Sequence, residues 1–196
     1  MKEYKRKYDQ FLYMGQERWL AARRWGRTLL ICLCLCVFGS FRQGGDSSEY
    51  KLKAVFIYNF TLFVEWDQSV KTEDFTIGVL GNSPIDGPLE EIARAKTCGG
   101  RKIVIHHYNS VDELTGSFCH ILFIPRTANA NVNTILSKVS KGTLTVSEKA
   151  GNADRGVAIN FVIIDNKLRF ESNPRAISSA GLKASSQLLK LAIIVD

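Results

Sequence analysis

Lys167-Leu-Arg-Phe-Glu-Ser-Asn-Pro-Arg-Ala-Ile-Ser-Ser-Ala-Gly-Leu-Lys-Ala-Ser-Ser-Gln-Leu-Leu-Lys-Leu-Ala192 closes the chain and decides how the rest is read. Leu168 and Phe170 alternate with Arg169 and Glu171, which predicts a strand with one apolar and one charged face. Asn173-Pro174 ends that strand, and proline fits the first turn of a helix because its missing N–H has no partner there anyway. Ile177, Ala180, Ala184, Leu188 and Leu191 then follow at three- and four-residue spacing as one apolar stripe. Gly181 stands where a helix can end in a left-handed residue, and Ser185 where another can be capped. The segment reads as two short helices, or one bent one, lying against a sheet that the upstream chain must supply.

Working back from it, Phe75–Leu80 is a continuous apolar run of the kind that forms a buried parallel strand. Further strands are expected at Ile103–His106, Ile121–Ile124 and Thr143–Val146. Between them come a loop (Asn82–Pro88), a short helix (Leu89–Ala95), a helical turn (Val111–Leu114) and an amphipathic helix (Asn131–Lys141) stopped by Gly142. Val157–Ile164 and Lys167–Phe170 flank Asp165-Asn166, which suggests an antiparallel hairpin. Ahead of all these, Ser47 or Ser48 can cap a helix from about Tyr50 to Val64. Its apolar residues leave little polar face, so it should be largely buried or cover a partner. The alternation gives an α/β fold: three layers, a mostly parallel mixed sheet with a C-terminal antiparallel hairpin, and flanking helices.

Composition bounds the function. The chain has 196 residues, 45% hydrophobic and 23% charged, and a net charge of +7. Five of those seven net charges lie in residues 1–39, so the remainder has no electrostatic claim on nucleic acid. That first segment reads as a signal peptide over 1–39: Arg23, Arg24 and Arg27 precede the apolar run Leu29–Phe38, which is too short to span a bilayer. Met14 is an alternative start. A linker is expected over 40–48 and one domain over 49–196, exported to the periplasm. Of five cysteines, three fall in the leader, leaving Cys98 and Cys119. This even pair either forms a disulfide in an oxidising compartment, or Cys119 is simply a small buried hydrophobe.

Chemistry-bearing patterns are sparse. Gly78-Val-Leu-Gly81 lacks the spacing of a phosphate-binding loop, and Gly81 is read as the turn leaving its strand. His106 and His107, adjacent on a strand, point to opposite faces and cannot clamp one metal ion. No nucleophile motif is present, so the reading is non-enzymatic, with no cofactor or metal. Candidate contacts for a ligand or partner lie at the carboxyl ends of the strands and on the polar faces. They are Arg155 in the polar loop Ser147–Arg155, Arg169 and Glu171 on the last strand, Asn173 after it, and, more weakly, Arg126. Asn59 and Glu65 are the polar exceptions on the first helix, serving either a partner or a hydrogen bond to a neighbouring loop. A guanidinium beside a carboxylate suits a zwitterionic, amino-acid-like molecule or a charged patch on a protein.

The closing stretch resembles the C-terminal signature of the YfiR/HmsC-like family, Arg-Phe-x-x-Asn followed by Gly-Leu-Lys-x-Ser-x-x-Leu-Leu-x-Leu-Ala. Further pieces agree in order: Ala54-Val-Phe-Ile-Tyr-Asn-Phe60, Phe63-Val-Glu-Trp66, Gly78-Val-Leu-Gly81, Cys119-His-Ile-Leu-Phe123 and Leu144-Thr-Val146. The resemblance covers roughly residues 50–192. It implies a secreted, non-enzymatic regulator that binds the extracytoplasmic sensor domain of an inner-membrane diguanylate cyclase, represses it and so lowers cyclic-di-GMP signalling and biofilm formation. A homodimer and a small-molecule ligand are left open as further partners. The resemblance also implies cysteines able to form disulfides. Here Gly151-Asn-Ala-Asp-Arg-Gly156 replaces the aromatic, paired glycines and occasional cysteine pair of other members, so a second disulfide is not carried over.

Overall fold

The computed structural model describes residues 44–66 and 73–195. The expected signal peptide lies outside them, and one compact folded unit spans Asp46–Asp196. In chain order the elements are α1 (Gly44–Phe63), β1 (Val64–Glu65), β2 (Phe75–Leu80), α2 (Asp86–Ala95), β3 (Thr97–Cys98) and β4 (Arg101–Tyr108). A 3-10 turn (Val111–Leu114), β5 (Ile121–Ile124), α3 (Val132–Lys138), β6 (Leu144–Ser147), β7 (Ile159–Ile164) and β8 (Lys167–Ser172) follow. The chain closes with α4 (Pro174–Ser179), β9 (Lys183–Ala184), α5 (Ser186–Leu191) and β10 (Ile193–Ile194).

Eight strands form one mixed sheet in the order β10-β8-β7-β6-β5-β2-β4-β3. All pairs are parallel except β7 with β8 and β3 with β4. The expected three-layer mixed sheet with its antiparallel hairpin is what the chain forms. Asp165 and Asn166, at φ 50 and 55, make the left-handed two-residue turn that the right-handed strand twist favours.

Two cores lie on the two sides of this sheet. Tyr50, Ala54, Ile57 and Phe60 of α1 and Val64 of β1 face one side, with Leu89, Ile177 and Leu188 from the later helices and Leu182 from the turn after α4. There Phe60 meets Phe161 and Phe170 with ring centroids 6.1 and 5.3 Å apart. The other core joins Leu80, Tyr108 and Leu122 to Leu114 of the 3-10 turn and to Val132 and Ile135 of α3. Gly78 of β2 faces this second core. A methyl group there would stand 2.6 Å from the Tyr108 ring and 3.0 Å from Cys119 Sγ, so only hydrogen fits.

Several expectations need correction; among them, α2 starts at Asp86, inside the expected loop, and α3 ends at Lys138 rather than Lys141. The first helix starts at Gly44 rather than Tyr50, so residues 44–48 of the expected linker are helical. The i,i+4 ion pair of Glu49 with Lys53 supports those first turns. Cys98 and Cys119 are free thiols, not a disulfide. Cys98 belongs to the core under α1 and Cys119 to the core under α3, so the sheet stands between them. Finally, Lys183–Ala184, read as helical stripe, is a strand paired with Val64–Glu65.

That short pairing joins two distant motifs. Val64 stands opposite Ala184 and Glu65 opposite Lys183, and the Ser185 amide donates to the Phe63 carbonyl at 2.8 Å. Downstream, α4 is capped by Asn173, which accepts from the Ala176 amide, and α5 by Ser185, which accepts from the Leu188 amide. Gly181, at φ 80, turns the chain between them.

Candidate functional site

Strand order reverses between β2 and β5: from β2 the chain moves to β4 on one side, then crosses to β5 on the other. Such a reversal opens a crevice outside the carboxyl ends of the strands, where open α/β sheets hold ligands. A cavity of about 460 Å³ lies there, between Gly81-Asn82 after β2, Asn109-Ser110 after β4 and Thr127–Ala130 after β5. The Gly81 amide donates to the Tyr108 carbonyl at 2.7 Å, and Thr127 Oγ1 donates to the Asn82 carbonyl at 3.4 Å, which fixes the rim. The lining carries hydroxyl and amide groups and no ionised side chain.

One strand over, the carboxyl end of β6 presents Glu148, whose side chain is 1% exposed. A carboxylate so deep must be paired and hydrogen-bonded. Its Oε2 faces Lys53 Nζ of α1, itself 1% exposed. Its Oε1 accepts from Tyr50 Oη at 3.2 Å and from the Arg126 amide at 3.1 Å. Lys53 also meets Glu49 and lies 4.5 Å from the centre of the Tyr50 ring. Burial, then the charge of Glu148, pushes the Tyr50 hydroxyl up to about 12. Arg126, with its side chain 58% exposed, brings Nε to 3.9 Å from the same carboxylate, and a cavity of about 210 Å³ adjoins the group. The cluster ties α1 to the ends of β5 and β6.

The residues singled out from sequence are spread over the fold. Glu171 and Asn173 are tied into the fold. Glu171 Oε2 accepts from Asn160 Nδ2 at 2.9 Å, Asn160 Oδ1 accepts from Ser147 Oγ at 2.6 Å, and Asn152 Nδ2 donates to Ser147 Oγ at 3.0 Å. Asn173 Nδ2 donates to the Ala153 carbonyl at 3.0 Å while its Oδ1 caps α4. These bonds anchor the polar loop that carries Arg155. Arg155 is exposed beside a cavity of about 140 Å³ shared with Lys149 and Asn152. Arg169 is exposed and stands opposite Val162, while Glu171 turns to Asn160. Asn59 is half-buried on α1 and Glu65 exposed on β1, and neither side chain makes a hydrogen bond among the described residues.

Lys53, Glu148 and Tyr50 were not foreseen. Lys53 hides in the apolar stripe Tyr50–Ala54–Ile57, and a lysine inside such a stripe was the available signal. Glu148 follows a strand buried at every position, with nothing in the local pattern to mark it as buried too.

The YfiR/HmsC-like family profile matches residues 50–193. The chain belongs to the YfiR/HmsC-like family. This is a family of regulators of diguanylate-cyclase systems and not of catalysts, and its members are periplasmic. Among solved structures, a conserved domain protein from Vibrio cholerae O1 biovar eltor superposes with a TM-score of 0.50 at 11% identity. The match covers 75% of this chain and 60% of that one, so it speaks for the fold alone. A search of characterised proteins gives no match. The family signature maps onto structure with little left over: Asn173 and Ser185 cap helices, Gly181 makes a turn, and Leu182 and Leu188 are buried. No helix among the described residues is long and apolar enough to cross a membrane.

Proposed function

We propose that this YfiR/HmsC-like chain is an exported, non-enzymatic regulator that binds the extracytoplasmic sensor domain of an inner-membrane diguanylate cyclase and represses it, lowering cyclic-di-GMP and biofilm formation. The observation that carries this reading is the family match over residues 50–193, nearly all of the folded unit. Repression needs only differential affinity: a partner that binds the off state more tightly shifts the equilibrium by that difference. Deleting the gene in a strain that expresses the cyclase should raise cellular cyclic-di-GMP, and the exported protein should co-purify with the cyclase. An unchanged level in that strain would count against the proposal.

A second role, as a small-molecule-binding module, is favoured by the crevice at the strand-order reversal. It is compatible with the first, since ligand occupancy and partner affinity are reciprocally coupled when both depend on one conformational equilibrium. A thermal-shift screen of the folded unit with amino acids and neutral polyols tests it. A ligand specific to the folded state must raise the melting temperature.

A further inference from the structure

The large sheet has one edge that its own chain leaves open. Strand β4 runs from Arg101 to Tyr108 and pairs along β2 on its inner side. On its outer side β3 reaches only two positions, Thr97 opposite Lys102 and Cys98 opposite Arg101. No strand among the described residues pairs with the outer side of Ile103–Tyr108. The direction of its backbone groups follows from one hydrogen bond. Tyr108 gives its carbonyl inward, to the Gly81 amide. Because both backbone groups of a strand residue point to one side and alternate along the strand, Ile103, Ile105 and His107 offer theirs to the outside.

Beside this edge runs an open groove of about 670 Å³, walled by the last turns of α2 and floored by the edge itself. Its charges are unbalanced. Arg94, Lys96 and Lys102 line it, and Glu90, 3.7 Å from Arg94, is its carboxylate. His107 stands 3.8 Å from Asp86 at the start of α2. Lys96 and Lys102 have no ion-pair partner among the described residues. Ile105 and Val104 are half-buried there and give apolar contact to alternate side chains of anything laid along the strand.

We infer that β4 accepts an extended acidic segment of a partner protein as an added strand, with main-chain hydrogen bonds to Ile105 and His107 and carboxylates facing Lys96 and Lys102. Adding a strand to a sheet edge takes its affinity from the main chain and its selectivity from flanking side chains. The same charges decide against a second copy of this chain as occupant. Pairing β4 with its own copy would set Arg101, Lys102, His106 and His107 against a like edge, and edge lysines are a common guard against such pairing. The inference extends past the regulatory proposal and holds whatever enzyme the partner carries.

The probe is a synthetic peptide of about eight residues alternating valine with glutamate, a typical strand length, beside one with lysine in place of glutamate. Amide hydrogen exchange is followed residue by residue in the folded protein. The acidic peptide at millimolar concentration should slow exchange at Ile105 and His107 by about tenfold, because those amides gain a partner. The effect should weaken with salt, and the lysine peptide should do nothing. Ile105→Pro removes an outward donor at a place where an edge strand tolerates proline, and should abolish the protection. Since Ile105 also packs on the core, Lys96→Glu with Lys102→Glu provides a second, surface-only variant that should reverse the peptide preference. No slowing at millimolar acidic peptide overturns the inference, as does slowing confined to other strands. Protection of the same amides in the free protein that rises with protein concentration would assign the edge to a second copy, and also overturns it.

Discussion

At Glu148 a single carboxylate collects an ammonium, a phenol and a backbone amide, and the balance of those contacts can be measured. Removing one partner of a buried ion pair strands the other charge, whereas removing both can cost little. Lys53→Met alone should destabilise the folded unit by about 3–5 kcal/mol, and Lys53→Met with Glu148→Leu should recover much of that loss. Urea denaturation of the two single variants and the double closes the cycle. Asn173 is the second residue whose role is spread over two bonds. Asn173→Ala removes the α4 cap and the donor to the buried Ala153 carbonyl, and should cost about 1–3 kcal/mol in the same assay. At this scale the sequence was legible where a residue obeys a local rule. Ser185 and Gly181 stand at cap and turn as expected, because capping needs only neighbours in the chain. Glu171 and Arg169 share a strand face in the sequence pattern, which offers both to a ligand or partner. The fold gives Glu171 to Asn160, a cross-strand neighbour that no one-dimensional pattern names.

Among elements, the long apolar runs read truest. Ile121–Ile124 has the expected limits, because a fully buried strand needs no partner-specific pattern to be recognised, and the short Val111–Leu114 turn has them too. The strands β9 and β10 escaped notice: at two residues each, their pairing is decided by what docks beside them. Helix α1 shows both outcomes. Its inward face is buried as its composition demands, yet Leu52, Val55 and Leu62 stay 45–60% exposed. Where β2, β5 and β6 begin, His120 joins elements. Its amide donates to the Thr76 carbonyl at 2.9 Å, its carbonyl accepts from the Leu144 amide at 2.8 Å and from Trp66 Nε1 at 3.1 Å, and Nδ1 accepts from the Thr76 amide at 3.0 Å. Burial, then the Arg101 guanidinium, lowers its ring from 6.5 to about 4. Between those two values the unfolded chain binds a proton that the folded one refuses, so stability is full above about 6.5 and falls as pH drops toward 4. The loss is at most about 3 kcal/mol. The urea midpoint measured from pH 7 to pH 4 should drop over that window, and His120→Gln should flatten the slope.

At the largest scale, the unit Asp46–Asp196 is a sheet with a separate core on each side, and this division bears on its two cysteines. In a family whose members are periplasmic, an even pair of cysteines invites a bridge. Here the sheet keeps the two sulfurs apart, and burial pushes the Cys119 thiol up to about 11, against the pull of its hydrogen bond with Tyr108. A thiol so protonated is a poor nucleophile and oxidises slowly. The folded unit should therefore carry two thiols and no disulfide even when purified without reductant. Alkylation under native conditions should leave Cys119 unmodified, and alkylation in denaturant without reductant should label both cysteines, as read by mass spectrometry. The thermal midpoint should not move when reductant is added. A bridge between these two positions would contribute roughly 3 kcal/mol, so its reduction would lower the midpoint by several degrees. A midpoint that falls with reductant, or a denatured chain that refuses the label, would mean that the two cores exchange faces or that the sheet opens before the chain is sealed. Neither is compatible with Gly78, Tyr108 and Cys119 packed as closely as they are.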